Sequence, residues 1–170
     1  MQFRESTRKY ILIGMVAFIV LGLIVAKVMA KSQDEQFATE ELLFQKATQL
    51  SSEGNFKEAS VYINELLKTK SDSEDVNYLG ALISVNIGEI DQAVILFQKT
   101  MDLNPHRVED PMFMLQFGET LFKVGRYDDA KIVLARCKES AWAPREIPNY
   151  QTKVSEILKS IEEILNKEGI

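Results

Sequence analysis

The sequence predicts an all-α chain: an N-terminal transmembrane helix, an α-solenoid of three helical hairpins, and a C-terminal helix that caps the open end. Three observations predict it. Residues 10–26 run seventeen in a row without a charge. One phrase, a Gly followed two residues on by a large apolar side chain and five on by Ala, recurs at Gly54-Asn55-Phe56-Lys57-Glu58-Ala59, Gly88-Glu89-Ile90-Asp91-Gln92-Ala93 and Gly125-Arg126-Tyr127-Asp128-Asp129-Ala130. The glycines are 34 and 37 residues apart, the spacing of stacked repeats. Beyond them Tyr150, Val154, Ile157, Leu158, Ile161, Ile164 and Leu165 recur at three- and four-residue steps, so they form one stripe of a helix.

Residues 1–9 are a short basic tail in which Arg4, Arg8 and Lys9 face only Glu5. Residues 10–30 are long enough to cross a hydrocarbon layer of about 30 Å, with Lys27 reaching out to the head groups. Val28-Met29-Ala30 offers small residues at the spacing a signal peptidase prefers, so cleavage after Ala30 is the other reading. The length of the apolar run and Lys27 just before that site favour an uncleaved signal anchor. The three basic residues of the tail outnumber Lys27 and Lys31, which puts the N-terminus in the cytoplasm and the rest of the chain outside it. The opposite orientation, with the repeats facing the cytosol, is the alternative. Residues 31–39 are a polar linker without Pro or Gly, compatible with a helix that continues into the first repeat.

The hairpin helices are predicted over 40–53 and 56–69, 74–87 and 90–103, and 111–124 and 127–141. Each Gly ends a first helix because it tolerates positive φ, and the following residues start a second helix running back. The small Ala marks the closest approach of the two helices. Ser71-Asp72-Ser73 supplies a polar turn with capping residues, and Asn104-Pro105 is a hard stop.

These copies resemble tetratricopeptide repeats, whose period is about 34 residues. The second copy carries Ala81, Gly88, Ala93, Phe97 and the closing Asp102-Leu103-Asn104-Pro105; the third carries Gly118, Gly125, Tyr127, Ala130 and Leu134; the first carries Ala47, Gly54, Phe56, Ala59 and Ile63. The early aromatic of the pattern is replaced by Leu43, Asn77 and Met114, the late Tyr by Leu50, Ser84 and Leu121, and the closing Pro is absent from copies one and three. The repeats span 40–145, as 40–73, 74–107 and 111–144, with the extra residues of the third step in the linker from His106 to Pro111. The resemblance implies a right-handed solenoid, in which residues 146–170 supply the capping helix that an end repeat needs. Trp142, in the connection between Pro144 and the last repeat helix, is expected to pack against the stack.

Composition narrows the function. The chain carries 20 basic and 25 acidic side chains, and beyond residue 31 fifteen basic groups face twenty-four acidic ones. Such a domain is a poor partner for nucleic acid. The single Cys137 excludes an internal disulfide framework and a cysteine metal site; at a small position of the third repeat it reads as a buried apolar side chain. The one histidine, His106, stands in a linker with no nucleophile context, the glycines make no phosphate loop, and Asp128-Asp129 and Glu162-Glu163 are helix-surface charges. No catalytic set, metal site or cofactor is expected.

What the resemblance implies instead is a groove lined by the first helix of each pair, at Phe44, Thr48 and Ser51, at Tyr78, Leu82 and Val85, and at Met112, Leu115, Glu119 and Phe122. Only Lys123, at the edge, is basic, which argues against a clamp for a chain-terminal carboxylate. Aromatic and Met side chains there suit an amphipathic helix or an extended segment of a protein partner. The expectation is a scaffold, anchored in the bilayer through residues 10–30, that binds a protein or peptide and supports assembly of a membrane or envelope complex. The alternatives are a cleaved, soluble extracytoplasmic chaperone or adaptor and a cytosol-facing membrane receptor for protein import.

Overall fold

A computed structural model describes residues 15, 18, 19, 21–23, 27 and 37–168. Most of the predicted transmembrane segment 10–30, the basic tail 1–9 and nearly all of the linker 31–39 lie outside the described residues. Contacts divide the chain into two units, residues 1–42 and 43–170. In the first, Met15, Phe18, Ile19, Leu21 and Leu23 are helical and leave 59 to 80% of their surface exposed. Among the described residues no helix is long and apolar enough to cross a membrane.

Among the described residues from 37 onwards there are seven α-helices: α1 over 37–52, α2 Phe56–Thr69, α3 Glu74–Ile87, α4 Ile90–Leu103, α5 Pro111–Lys123, α6 Tyr127–Glu139 and α7 Tyr150–Glu168. A 3₁₀ helix, Pro105–Glu109, occupies the linker between α4 and α5. Among the described residues there is no strand.

The three hairpin turns are built alike. Gly54, Gly88 and Gly125 take φ of 79°, 87° and 82°, a left-handed conformation that a side chain would oppose. This lets the next residue fold back and donate its N–H to the carbonyl five residues earlier: Asn55 to Leu50 at 2.8 Å, Glu89 to Ser84 at 2.9 Å and Arg126 to Leu121 at 2.9 Å. The glycine N–H groups bond Ser51, Val85 and Phe122. Two carbonyls that each first helix would leave orphaned are thus satisfied without any side chain.

The alanines of the repeated phrase, Ala59, Ala93 and Ala130, are fully buried, as are Ala47 and Ala81 at the early small position. Gly118 holds that position in the third hairpin, where a Cβ would stand 2.7 Å from Leu134. Small residues here set how closely the two helices pack. Twelve residues beyond each turn glycine lie Leu66, Thr100 and Cys137, buried and equivalent. Thr100 Oγ1 donates to Leu96 O at 2.8 Å and Cys137 Sγ to Val133 O at 3.3 Å, so the cysteine takes a structural place. Burial pushes its thiol pKa up.

Between hairpins, helix starts are capped by side chains. Ser73 Oγ accepts from Val76 N, and Asp110 Oδ1 accepts from Met112 N at 2.9 Å and Phe113 N at 3.2 Å. Asn77, fully buried where the repeat pattern has an aromatic, donates from Nδ2 to the carbonyls of Ser71 and Ser73 and holds the turn between α2 and α3.

Two apolar clusters result. The smaller gathers Ala47, Leu50, Ala59, Ile63, Leu66, Val76 and Ile83. The larger runs from Ala81 through Phe97, Phe113, Phe117 and Leu134 to Tyr150, Val154 and Ile161 of α7. That helix buries its apolar stripe against α6 and α5, and Trp142 packs at the edge of the same cluster.

Candidate partner-binding groove

The predicted first-helix residues do not all meet. Leu82 and Val85 of α3 face Glu119 of α5 across a depression of about 110 Å³. Asn86, Gln116, Thr120 and Lys123 complete its walls. Of the ten side chains expected to form the groove, three line this depression. Lys123, expected at the edge, lines it as well.

Local helix geometry explains the set. Leu82 and Asn86 are one turn apart on α3, and Gln116, Glu119, Thr120 and Lys123 follow at three- and four-residue steps on α5, so each helix presents one stripe to the other. Asn86 Nδ2 is turned back to Leu82 O at 2.8 Å, which leaves its side-chain oxygen directed elsewhere. Gln116 Oε1 accepts from Tyr78 Oη at 2.6 Å, which leaves its two N–H donors. Thr120 Oγ1 bonds Gln116 O. Glu119 is tied to Lys153 of α7 at 2.5 Å, with its side chain about one-fifth exposed. That ion pair neutralises the one acid of the depression, so Lys123 is its uncompensated charge. The walls are mixed rather than purely apolar.

Tyr78 does not line the depression; its ring is half-buried and packs against the larger core cluster. Its ring stands 5.5 Å from Phe113 and 6.1 Å from Phe97, and these two are 5.6 Å apart. Arg107 from the 3₁₀ helix stacks over the same ring at 4.9 Å. Its guanidinium also bonds Glu74 through Nε, reaches Asp110 at 2.9 Å and approaches Asp75 at 3.7 Å. Burial would lower the Arg107 pKa, but the carboxylates of Glu74 and Asp110 outweigh it and the value rises. Burial and the Asp110 charge raise that of Tyr78. Sequence reasoning did not identify this clasp, because its partners are 33 residues apart.

The remaining expected residues stand elsewhere. Leu115 is 2% exposed and belongs to the core, so it presents no surface. Phe122 packs its ring 5.7 Å from that of Tyr127 across the hairpin turn. Phe44 is half-buried against the first cluster. Thr48 is exposed and donates to Phe44 O at 2.8 Å, and Ser51 and Met112 are half-buried. None of them lines the depression. Asn86 and Gln116 are the side chains missed; the helical spacing from Leu82 and Glu119 would have found them. Among the described residues no cluster of three or more His, Cys, Asp or Glu side chains is placed to hold a metal.

No protein-family profile matches the chain, and no curated protein does. Solved structures do. The type III secretion translocator chaperone SycD of Yersinia enterocolitica is similar with a TM-score of 0.60 at 20% identity, over 75% of this chain and 85% of that one. PcrH in complex with the chaperone binding region of PopD gives 0.58 at 14% identity, over 72% and 90%. The first TPR of Spaghetti (RPAP3), bound to an HSP90 peptide, gives 0.59 at 14% identity, over 75% and 94%. At such identities the likeness concerns the fold. The hairpin domain of this chain has the tetratricopeptide-repeat architecture.

Proposed function

We propose that the chain is a membrane-anchored adaptor whose hairpin domain holds a segment of a protein partner between α3 and α5, without chemical turnover, and so supports assembly of a membrane or envelope complex. The observation that carries this reading is the depression itself. It combines two apolar side chains, Leu82 and Val85, with amide groups of Asn86 and Gln116 and the uncompensated Lys123. Apolar walls with a few placed polar groups suit a main chain and its side chains. The comparisons add an analogy: SycD is known in complex with a peptide of the translocator YopD, and PcrH with a region of PopD. Those partners belong to those proteins, since this fold serves many functions.

Residues 10–30 are the anchor in this reading. Its support is the uncharged run and the helical Met15, Phe18, Ile19, Leu21 and Leu23, whose large apolar side chains stand in the open where lipid would cover them. The N-terminus lies in the cytoplasm and the hairpin domain on the other side. Tethering raises the effective concentration of the domain for partners in the same membrane.

The test is cross-linking and pull-down of the full chain from native membranes, for the wild type and for Val85→Ala/Lys123→Ala. Tyr78 is unsuited because its ring packs against the core cluster. One partner lost in the variant, with an unchanged melting curve, supports the groove; a partner kept by it removes the groove from the reading. Extraction of the wild type by alkaline carbonate would remove the anchor, and a mature N-terminus at Lys31 would replace it with a cleaved adaptor.

A further inference from the structure

Residues 43–168 leave four large apolar side chains exposed, and three of them are equivalent. Val61, Ile95 and Ile132 are 67, 55 and 70% exposed. Each lies seven residues beyond its turn glycine, on the face of its second helix opposite the buried Ala59, Ala93 or Ala130. The outer side of the domain therefore carries one β-branched residue per hairpin, at the same pitch as the hairpins themselves.

The charges on the same stripes are patterned. Running from N- to C-terminus, α2 presents Lys57, Val61, Glu65 and Lys68, while α6 presents Asp128, Ile132, Arg136 and Glu139. At matching positions every charge has the opposite sign. All six charged residues are exposed. On α4 the stripe is Asp91, Ile95, Lys99 and Asp102, where Lys99 and Asp102 alternate in sign within one turn.

We propose that this outer face pairs with the same face of a second copy of the chain, about a two-fold axis running along α4. The operation sets helices parallel and reverses the order of the hairpins. Val61 then meets Ile132 of the second copy, and Ile95 meets its own counterpart. Lys57, Glu65 and Lys68 oppose Asp128, Arg136 and Glu139. Along the axis Lys99 pairs diagonally with Asp102 of the other copy. A second copy is the occupant that matches the row in pitch and in number and, between α2 and α6, in reversed charge. Asp91 meets its own counterpart, and Asp129, which would face Glu58, is already held by Arg126 at 2.6 Å. Within each chain Lys68 also pairs with Glu65 at 2.5 Å, and Arg136 Nε donates to Val108 O at 3.2 Å. Charge patterns of this kind fix register more than they add affinity, and the apolar row is narrow, so the pairing is a weak one.

Cysteine cross-linking of the full chain in membranes tests it, since the native Cys137 is buried. With a mild oxidant, Ile95→Cys should form a disulfide-linked dimer, and Val61→Cys mixed with Ile132→Cys should do so at least several-fold better than either alone. Lys68→Glu should lower the Ile95→Cys dimer yield several-fold, and adding Glu139→Lys should restore it. Absence of an Ile95→Cys dimer, equal yields for Val61→Cys alone and in the mixture, a Val61→Cys dimer with Ile95→Cys only, or no rescue by Glu139→Lys would each overturn this arrangement.

Discussion

The hydroxyl of Tyr150 donates to the carbonyl of Pro111 at 2.8 Å and ties the first turn of α7 to the first turn of α5. The side chain is 1% exposed, and the carbonyl it caps is at a helix start beside the Asp110 cap. Tyr150→Phe keeps the packing and removes the bond, which should lower stability by about 1–2 kcal/mol. The pH dependence carries a second signature. Burial raises the Tyr150 pKa well above the usual 10.0, with Cys137 contributing, so the folded state holds this proton more tightly than the unfolded chain. The stabilisation is full below about 10 and is lost as pH rises beyond it. Denaturant midpoints between pH 8 and 11 should fall with pH, and fall less steeply in Tyr150→Phe.

Arg107 joins the linker to α3 by bonding Glu74 and Asp110 and covering the Tyr78 ring. Its side chain is 21% exposed, so solvent screens the contacts only in part. Arg107→Ala should destabilise the domain by about 1–3 kcal/mol. Arg107→Lys should recover little of this, because an ammonium cannot span two carboxylates and lie flat on a ring. Urea unfolding of the three proteins would decide; a lysine variant as stable as the wild type would show that charge alone matters there.

The hairpins were legible in the sequence because their signal is local. A glycine at positive φ, an Ala five residues on and a capping Ser73 or Asn104-Pro105 act within a few residues, and the helices from α2 to α4 lie where the pattern put them. The Arg107 clasp was not legible, since no local pattern links it to Glu74. The depression between α3 and α5 was legible in part. The resemblance to the repeat pattern named Leu82, Val85 and Glu119, which line it, but not Asn86 and Gln116, polar neighbours on the same helices. Leu115 and Phe122 depend on tertiary packing: one is enclosed in the core cluster that includes α7, the other takes Tyr127 as its neighbour.

Gly118 tests how tightly the third hairpin is closed. A Cβ there would stand 2.7 Å from Cγ and Cδ2 of Leu134, a fully buried side chain with little room to retreat. Gly118→Ala should cost about 1–3 kcal/mol. Its origin is a steric pair, so the double variant Gly118→Ala/Leu134→Ala should lose less than the sum of the two single losses. Gly88→Ala meets no atoms within 4 Å but has φ of 87°, and should cost about 1–2 kcal/mol for the left-handed backbone alone. Additive losses at Gly118 and Leu134 would show that the contact relaxes.

The end of α6 departs from the three glycine turns. Ala141 takes φ of 51° at the place where they have Gly, and its N–H bonds Lys138 O at 3.1 Å. In the glycine turns the next residue's N–H satisfies the carbonyl five residues back. Here the equivalent carbonyl, that of Cys137, instead accepts from Gln151 Nε2 at 3.0 Å, and the same amide nitrogen bonds Trp142 O at 2.9 Å. A side chain of α7 thus does what a second backbone bond does elsewhere, which joins the end of α6 to the start of α7. Two outcomes are expected. Ala141→Gly should stabilise the domain by about 0.5–1 kcal/mol, since the strain of an L-residue in this conformation exceeds the added freedom of the unfolded chain. Gln151→Ala should destabilise it by about 1–2 kcal/mol by leaving the Cys137 carbonyl without its donor. Thermal denaturation of both variants reads the signs directly: a loss in Ala141→Gly would mean that the left-handed turn is not strained.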